Sequence, residues 1–283
     1  MTQQLEKKIN FAITLIQLAS KMANSHGQVI EVCYSGGKDS DVILELTKMA
    51  NVEYRAIYKD TTIDPPQTKQ HCREKGVEIL KPKHTFFELV RKKGFPTRRV
   101  RFCCEHLKEY KVLDYAILGI RRCESAKRAK RYQEPEMCRV YNKHSKVRQY
   151  FPILEWTNED VENFIKCANI QCHPLYYDNS TPPQFLVNQR LGCLGCPLAS
   201  DNGLSHFKKY PNLVKAWCMN GQIWLDTHPN TASHKKFSDV YELFVHNVFY
   251  NTYEEFKLSI GDNLFGKVID CKSFLEQYFN IKF

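Results

Sequence analysis

The stretch that most constrains the fold is residues 28–50, QVIEVCYSGGKDSDVILELTKMA. Its first part, residues 29–34, is an apolar run rich in β-branched residues, which predicts a buried strand. The run stops at SGGKDS, residues 35–40, and apolar residues then recur at spacings of three and four, as in an amphipathic helix. A strand, a glycine-rich turn and a helix in this order predict an α/β fold whose turn binds an anion.

The SGGKDS turn has the chemistry of a phosphate-binding loop. Glycines let backbone N–H groups approach a phosphate closely, and the N-terminus of the following helix adds partial positive charge. The alternative is an ordinary strand-to-helix turn, and the spacing is not that of a P-loop, G-x-x-x-x-G-K-[ST]. We predict that a phosphate group is bound by Ser35, Gly36, Gly37, Lys38, Asp39 and Ser40.

Composition places the chain among ordinary globular proteins. Of its 283 residues 43% are hydrophobic and 25% charged, and the formal net charge is +10. No apolar run is long enough to cross a bilayer, so we expect no membrane partner. The N-terminal segment carries Glu6, Lys7 and Lys8 and has the pattern of an amphipathic helix rather than a signal peptide, which predicts a cytoplasmic protein. The apolar face of this helix is expected to comprise Ile9, Phe11, Ala12, Leu15, Ile16 and Ala19. The positive charge suits a phosphate-rich ligand or nucleic acid, or is a solvated basic face.

Short apolar runs alternate with helical patterns beyond the loop. They are predicted strands at 54–58, 77–80 and 115–119 and a predicted helix at 86–93. This βαβ alternation predicts a doubly wound, mostly parallel sheet with helices on both faces. Residues just after such strands face the crevice where ligands bind, and Asp60 follows the strand at 54–58. Residues 130–150 are polar and basic, and we consider an excursion of the chain over the site there.

Two arginines follow the strand at 115–119. Arg121 and Arg128 are about two helical turns apart, and each can hold a phosphate or sulfate through paired hydrogen bonds. Glu124 lies between them and can orient one of the two guanidinium groups. The alternative is a salt-bridged helix surface with no ligand.

Twelve cysteines without a secretory signal argue against a disulfide framework. The adjacent pair Cys103-Cys104 and the motif Cys193-x-x-Cys196 together supply four thiolates, enough for a closed metal site. A C-x-x-C motif alone also fits a redox pair, half of a zinc site or a chance spacing. The other cysteines show no ligand spacing, and we expect most of them to be buried small hydrophobes.

Five motifs occur in the order of one enzyme superfamily. SGGKDS resembles the PP-loop of the N-type ATP pyrophosphatases, which include adenylyl-sulfate and phosphoadenylyl-sulfate (PAPS) reductases, the ATP sulfurylase small subunit and several sulfur-inserting enzymes. The other four are residues 60–68, similar to D-T-G-x-x-x-P-E-T; 119–128, similar to G-x-R-x-x-E-S-x-x-R; 152–161, similar to P-I-x-x-W-x-x-x-D-V; and 173–176, similar to N-P-L-Y. Thr62, Gln67 and His173 depart from these patterns. The resemblance spans roughly residues 28–200.

The resemblance implies the PP-loop ATP pyrophosphatase fold. A PP-loop nucleotide-binding α/β domain with the iron–sulfur cysteines would occupy residues 1–204, and a mainly helical C-terminal region, 205–283, would pack on it. The resemblance also implies an adenine nucleotide in the loop, either ATP with Mg²⁺ or adenylyl sulfate or PAPS. Lys38, Asp39 and Asp60 are then the expected catalytic residues, with Lys38 for phosphate charge and Asp39 for Mg²⁺. We expect the aromatic residues of the C-terminal region to form core.

The cysteine pattern resembles the [4Fe–4S] site of adenylyl-sulfate reductases in order and approximate spacing. Similar cysteines occur in the sulfur-transfer proteins of DNA phosphorothioation. The resemblance therefore implies a [4Fe–4S] cluster held by Cys103, Cys104, Cys193 and Cys196. Zinc, and free or disulfide-bonded cysteines, are the alternatives.

Three functions fit these motifs. The first is ATP-dependent adenylylation coupled to sulfur transfer, with tRNA, DNA or a small molecule as acceptor and a sulfur donor such as a cysteine desulfurase. The second is thiol-dependent reduction of adenylyl sulfate or PAPS to sulfite, which in the resembling reductases uses a cysteine in an E-C-G-[LI]-H tail. The intact loop favours the first, because those reductases have degenerate loops, and the late Cys271 has no Gly-x-His after it. A non-catalytic nucleotide- or nucleic-acid-binding protein is the third.

Overall fold

A six-stranded sheet forms the centre of the described part of this computed structural model, which comprises residues 2–142, 145–261 and 269–283. The strands are β1 (Ile30–Tyr34), β2 (Tyr54–Lys59), β3 (Glu78–Leu80), β4 (Tyr115–Leu118), β5 (Glu136–Asn142) and β6 (Ser145–Tyr150). Their order across the sheet is β3-β2-β1-β4-β6-β5. Every neighbouring pair is parallel except β5 and β6, which are antiparallel. The predicted α/β class with a mostly parallel sheet is therefore confirmed.

The strand order reverses beside β1, which makes the sheet doubly wound. From β1 the sheet continues to β2 and β3 on one side, whereas β4 lies on the other side of β1. Ligands of such sheets bind outside the carboxyl ends of the strands at this reversal. β1 ends just before SGGKDS, and β4 ends just before residues 119–128. Because β1 and β4 are parallel neighbours, both predicted motifs leave the sheet at the same edge.

The helices of the described residues surround this sheet and make up most of the C-terminal part. In chain order they are α1 (Gln3–Asn24), α2 (Lys38–Met49), α3 (Thr68–Glu74), α4 (Phe86–Lys93), α5 (Phe102–Leu107), α6 (Ala126–Arg131), α7 (Asn158–Cys167), α8 (Leu204–Lys209), α9 (Asn212–Thr227), α10 (Ala232–Lys236), α11 (Val240–Phe249), α12 (Tyr253–Ser259) and α13 (Cys271–Phe279). The predicted helix at 86–93 is α4, and the helical character expected after residue 205 is confirmed. In the described ranges, no helix combines the length and apolarity that a membrane crossing needs.

Residues 136–142 and 145–150 belong to the sheet rather than to an excursion over the site. β6 pairs in parallel with β4, and β5 closes that edge. Val147 and Tyr150 of β6 are buried, while Arg148 between them is exposed, so the segment has the alternation of a strand with one covered face. The density of basic residues hides this alternation in the sequence. His144, which the sequence analysis includes in this segment, lies outside the described residues.

The chain divides into two compact units that are discontinuous in sequence. Unit 1 comprises Met1–Asp60, Pro65–Lys81 and Glu109–Gly192, and unit 2 comprises Thr61–Asp64, Pro82–Lys108 and Cys193–Phe283. The whole sheet and the SGGKDS loop belong to unit 1, whereas the four candidate ligand cysteines belong to unit 2. The predicted domain boundary, 1–204 against 205–283, stays a prediction. The two compact units divide the chain at other positions.

Unit 2 has an aromatic core. Phe207 of α8, Trp217 of α9 and Phe244 of α11 meet with ring centroids 5.0 to 6.4 Å apart. Their edge-to-face contacts add to the free energy gained from burying the rings. The C-terminal aromatic residues are therefore core, as expected.

Helix α1 packs one apolar stripe against the core of unit 1. Its Ile9, Ala12 and Ile16 are at most 4% exposed, as predicted from their spacing. Phe11, which the sequence analysis places on the same face, is 55% exposed. Each residue turns the helix by about 100°, so Phe11 lies well off the centre of the stripe and the prediction for it is wrong.

A capping box starts α7 and joins it to α1. The Asp160 N–H donates to the Thr157 hydroxyl at 3.1 Å, and the Thr157 N–H donates to the Asp160 carboxylate at 2.7 Å. Lys8 of α1 pairs with the same carboxylate at 2.5 Å. Burial acts to raise the pKa of Asp160, but the hydrogen bonds from Lys8 and Thr157 hold it below its usual value.

Replacing Thr157 by Ala should lower the free energy of unfolding by about 1 kcal/mol at neutral pH, because the first N–H groups of α7 lose their acceptor. The folded-state pKa of Asp160 is depressed, so its contribution is present above the usual carboxyl pKa and disappears as the pH falls through the folded-state value. Urea titration measures both effects. Thr14→Ala, at an exposed α1 position, is the control; an equal loss in both variants would contradict the capping role.

Candidate nucleotide site and cysteine cavity

The SGGKDS loop leaves the first turn of α2 without a side-chain cap. Gly36 has φ +78°, and a Cβ there would lie 2.9 Å from Thr68 Cγ2. Gly37 is the N-cap of α2 and contributes no side-chain hydrogen bond. The Ser40 hydroxyl donates to the Gly37 carbonyl at 2.6 Å and holds the turn closed. The Ser40 N–H donates to the Gly37 carbonyl at 2.9 Å. An anion can therefore reach only the N–H groups of the turn that precede Ser40, which is the role predicted for the glycines.

The loop forms one wall of a cavity of about 210 Å³ in unit 1. Of the predicted loop residues, all but Gly36 line it. Lining residues also come from the segment after β4 and from the segment at 176–191. The full set is Cys33, Ser35, Gly37, Lys38, Asp39, Ser40, Gly119, Glu124, Arg128, Tyr176, Arg190 and Leu191. The loop and the residues that follow β4 thus meet at the reversal of the strand order.

Lys38 and Asp39 bring opposite charges to this cavity. The Lys38 ammonium lies 3.4 Å from the Asp39 carboxylate and 5.4 Å from the centre of the Tyr176 ring, and only 4% of its side chain is exposed. Burial lowers the pKa of Lys38, and the charge of Asp39 partly opposes this. The ammonium has therefore lost hydration that a phosphate oxygen would replace.

Arg121 acts on the site through Asp39. It is 1% exposed, and its Nε donates to Asp39 Oδ1 at 2.7 Å. Its Nη1 donates to Asn158 Oδ1 at 2.9 Å, at the start of α7. The sequence analysis predicts that Arg121 contacts the ligand itself. The structure instead buries the guanidinium behind Asp39, where it fixes the carboxylate, and a direct contact with phosphate stays a prediction.

Glu124 binds two arginines at the cavity wall. It forms an ion pair with Arg128, as the sequence analysis anticipates, and a second one with Arg190 at 2.8 Å. The Glu124 side chain is 10% exposed, whereas Arg190 is 62% exposed. Sequence reasoning misses Arg190, which lies outside every recognised motif. The sequence points to Arg190 only through its basic side chain, which lies shortly before the C-x-x-C motif.

Asp60 lies apart from the residues that line this cavity. It follows β2, is 5% exposed, and pairs with Lys69 of α3 at 2.7 Å. Its backbone N–H donates to the Leu80 carbonyl at the end of β3. A catalytic role for Asp60 stays a prediction.

A buried polar network supports the loop from the α2 and α3 side. Asp41, on the first turn of α2, accepts hydrogen bonds from Tyr34 and from His71 Nε2, the latter at 3.0 Å. His173 Nε2 lies 3.3 Å from the Thr68 hydroxyl, and the methyl group of Thr68 packs beside Gly36. Burial lowers the pKa of His173, so its ring is neutral at neutral pH. The motif at 173–176, where His replaces Asn, thus positions the loop.

The four candidate ligand cysteines line one cavity of unit 2, which has a volume of about 30 Å³. Cys103 and Cys104 lie on α5, and Cys193 and Cys196 lie in the loop before α8. The other lining residues are Thr61, Ile63, Phe86, Pro96, Leu107, Lys108, Leu194, Gly195, Pro197 and Trp217. The structure therefore brings together the two cysteine motifs that the sequence separates by about ninety residues.

The charges around this cavity favour a negatively charged occupant. Burial raises the pKa of Cys193 to about 11, against the opposing effects of Lys108 and the Thr61 hydroxyl. The hydrogen bond that the Cys103 thiol donates to Cys104, together with burial, raises the pKa of Cys103. Lys108 lies 3.8 Å from Asp64; burial acts to lower its pKa, but the charges of Cys193 and Asp64 raise it overall. The raised pKa values favour the protonated thiols of Cys103 and Cys193, which a metal would have to deprotonate, and Lys108 would then supply a compensating positive charge.

The cavity does not gather its ligands around a single point. In the described ranges, no three His, Cys, Asp or Glu side chains are close enough to hold one metal ion. All twelve cysteines are free thiols. The four thiols nevertheless share one cavity with a lysine ammonium, and the buried Trp217 Nε1 has no hydrogen-bond partner among the described residues. A donor set of this kind fits a sulfur-rich, anionic group.

The remaining cysteines differ in exposure. Cys72, Cys172, Cys218 and Cys271 are buried, as expected, and Cys33 is half-buried. The expectation is wrong for the three exposed ones: Cys123, Cys138 and Cys167. Cys271 begins α13, where it is 4% exposed within the core of unit 2. Such burial does not favour its use as a nucleophile.

Residues 29–199 match the family described as the phosphoadenosine phosphosulfate reductase domain, which is more than half of the chain. An uncharacterized protein of Methanocaldococcus jannaschii is 29% identical over 231 residues, 76% of this chain and 52% of that protein. Sulfate adenylyltransferase subunit 2 of Shewanella pealeana is 28% identical over 184 residues, 53% of this chain and 60% of that protein. The chain thus spans about half the length of the curated relatives it matches.

Solved structures of two kinds align with the chain at low identity. A PAPS reductase from Candida auris in a phosphate complex aligns over 62% of this chain and 91% of that chain, with a TM-score of 0.42 and 17% identity. The FMN adenylyltransferase of Candida glabrata aligns over 68% of this chain and 62% of that chain, with a TM-score of 0.43 and 18% identity. Together, the doubly wound sheet, the loop at its reversal and the match over residues 29–199 show that this chain belongs to the phosphoadenosine phosphosulfate reductase domain family.

Proposed function

We propose that this protein is an ATP pyrophosphatase that adenylylates an acceptor and thereby prepares it for sulfur transfer. The observation that carries the proposal is the cavity at the SGGKDS loop. There Lys38, Asp39 and the uncapped turn of α2 face Arg128 and Arg190. Adenine nucleotides are the substrates expected of this family.

The charges of the cavity suit a triphosphate. Two phosphate groups can accept hydrogen bonds from the first N–H groups of α2 and from Lys38. Arg128 and Arg190 line the same cavity and form ion pairs with Glu124. A ligand phosphate would compete with Glu124 for these two arginines. Nucleotide binding can therefore replace their ion pairs with Glu124 by ion pairs with phosphate.

Asp39 is the residue that fits Mg²⁺. The ion binds proteins through one or two carboxylates and takes its other ligands from phosphates and water. Asp39 lines the cavity and is 17% exposed, and Arg121 fixes its orientation from behind. Mg²⁺ would lower the charge of the triphosphate. Asp60 remains a candidate for a catalytic role after a rearrangement.

The proposed reaction has two steps. An acceptor oxygen attacks the α-phosphorus of ATP, the bond to the β-phosphate oxygen breaks, and pyrophosphate leaves while the acceptor carries AMP. A sulfur nucleophile can then displace AMP. Lys38 and the α2 N–H groups stabilise the charge that develops on pyrophosphate. Relatives named for adenylyl transfer to sulfate support this type of chemistry. Nucleic acid or a small molecule is the proposed acceptor, and a cysteine desulfurase is one possible sulfur donor.

We further propose that Cys103, Cys104, Cys193 and Cys196 hold a [4Fe–4S] cluster. A single ion needs all its ligands within about 2.3 Å of one point, whereas a cluster takes four thiolates over a wider space. The four thiols line one cavity, and Lys108 offers a positive charge near Cys193. When bound, the cluster would bind the sulfur that is to be transferred, or would transfer electrons.

Product analysis tests the proposed reaction. Anaerobically purified protein is incubated with α-labelled ATP, Mg²⁺, sulfide and either bulk tRNA, DNA or no acceptor. With an acceptor that the enzyme adenylylates, we expect AMP and pyrophosphate in equal amounts. A parallel incubation with adenylyl sulfate or PAPS and thioredoxin should give no sulfite. Sulfite there, without pyrophosphate from ATP, would make the protein a reductase; neither product, with tight nucleotide binding, would make it a binding protein.

Replacing Arg190 by Ala should weaken ATP binding about tenfold, since one charge-assisted contact to phosphate contributes about 1.4 kcal/mol. Arg55→Ala is the matched control, because Arg55 also forms an exposed ion pair in unit 1, with Glu78 at 2.8 Å, away from the cavity. Calorimetric titration with ATP and Mg²⁺ measures both variants. Equal affinities for the two would remove Arg190 from the site.

A further inference from the structure

We propose that Trp217 donates a hydrogen bond from its indole N–H to a sulfur atom of the group held in the cysteine cavity, and so sets the reduction potential of that group. The proposal rests on the proposed cluster. It assigns a role to a residue outside the five recognised motifs, contributed by α9 rather than by the segments that carry the cysteines.

The Trp217 side chain has an unusual polar environment. The residue is 4% exposed, and its Nε1 is buried without a hydrogen-bond partner among the described residues. An orphaned buried N–H group destabilises the folded state, so such groups usually mark a partner that the protein chain does not supply.

The indole edge that carries the N–H faces the C-x-x-C segment. A Cβ built on Gly195, between Cys193 and Cys196, would lie 3.0 Å from Trp217 Cζ2. Nε1 and Cζ2 are bonded to the same ring atom and therefore lie on the same edge of the indole. Trp217 also lines the cavity that contains all four cysteines. The indole edge that carries the N–H thus lies beside the segment that bears two of the proposed ligand sulfurs.

The ring has little freedom to turn elsewhere. Phe86 and Phe95 pack against it with centroid distances of 5.2 Å each, and Phe207 packs edge-to-face at 5.4 Å. These contacts offer the N–H no acceptor. Gly195, at φ +68°, lets the C-x-x-C backbone approach the ring, because any side chain there would collide with Phe207.

The chemistry of the indole restricts what it can bind. Its N–H is a donor only, so the partner must be an acceptor. Thiolate and sulfide atoms of an iron–sulfur cluster are such acceptors, and hydrogen bonds to the sulfurs change the reduction potential. A donor stabilises the more negative, reduced form, so the hydrogen bond from Trp217 should raise the potential.

The test compares wild type, Trp217→Phe and Trp224→Phe after anaerobic purification. Trp224 is the matched control, since it is a buried indole on the same helix that does not line the cavity. Iron and sulfide contents are measured first, then the potential by redox titration and the Fe–S stretching bands by resonance Raman spectroscopy. We expect equal iron in all three proteins, and a more negative potential with shifted bands in Trp217→Phe alone.

Two outcomes separate the possible failures. Wild type without iron or sulfide overturns the proposed cluster. Iron in wild type with unchanged potential and Raman bands in Trp217→Phe overturns the hydrogen bond and leaves the cluster standing. If Trp217→Phe does not fold, ¹⁵N spectra of the intact wild type decide: one of the three indole N–H resonances should shift when the cluster is removed, and three unshifted resonances would contradict the proposal.

Discussion

Replacing Lys38 by Met should weaken the binding of ATP by about 30-fold or more. Met keeps the length of the stem and removes the charge, so the change isolates the contact with phosphate. Loss of one partner from a buried charge-assisted pair costs about 2 kcal/mol or more, and about 1.4 kcal/mol is a factor of ten in affinity. Lys38 meets these conditions because it is 3% exposed and lines the cavity.

Lys48→Met is the matched control for this experiment. Lys48 lies in the last turn of the same helix, 44% exposed, and pairs with Glu45 at 3.3 Å. Titration calorimetry with ATP and Mg²⁺ should show an unchanged affinity in this variant. Thermal unfolding shows whether each variant is folded, and Lys38→Met should be at least as stable as wild type without nucleotide, since it no longer buries a charge. Unchanged ATP affinity in Lys38→Met would contradict the assignment of the loop.

Replacing Cys193 by Ala should abolish most of the iron and labile sulfide bound by the protein. Cys193 lines the cavity together with the other three candidate ligands, so its loss leaves one iron of the proposed cluster without a thiolate. Anaerobic purification followed by iron and sulfide analysis measures the effect. The absorbance in the visible region should fall in the same proportion.

Cys218→Ala controls for the loss of a buried thiol. Cys218 is 2% exposed in the core of unit 2 and does not line the cavity. We expect this variant to keep its iron even if it is less stable. Equal iron in the two variants, or zinc in place of iron in the wild type, would show that the cysteine cavity does not hold an iron–sulfur cluster.

Much of unit 1 can be predicted because local patterns and motifs there agree with the fold. The run at 29–34, the SGGKDS turn and the amphipathic pattern after it correspond to β1, the loop and α2. Thr157 and Asp160 are recognisable as a capping box because the cap depends on residues three apart. The pairing of the two cysteine motifs in one cavity follows from the family resemblance rather than from local pattern.

Other features depend on contacts that no local pattern records. Arg121 has the spacing of a ligand-binding arginine, but the start of α7 buries it and leaves it to orient Asp39. Arg190 joins the site only because Glu124 binds it across 66 residues of sequence. Trp217 looks like one of several core aromatics until its buried N–H is found to have no partner in the described part of the chain. In each case the role depends on which distant residue supplies the partner.

The central claim is that the SGGKDS loop receives ATP rather than a nucleotide that already carries sulfate. Titration calorimetry of the wild-type protein with ATP and Mg²⁺, and separately with adenylyl sulfate and with PAPS, tests it most directly. We predict that ATP with Mg²⁺ binds most tightly and that pyrophosphate with Mg²⁺ competes for the same site, because Lys38 and the first turn of α2 are placed for the phosphates that leave. Adenylyl sulfate or PAPS binding about tenfold more tightly than ATP, a difference of about 1.4 kcal/mol, would contradict this account and identify the site as that of a reductase.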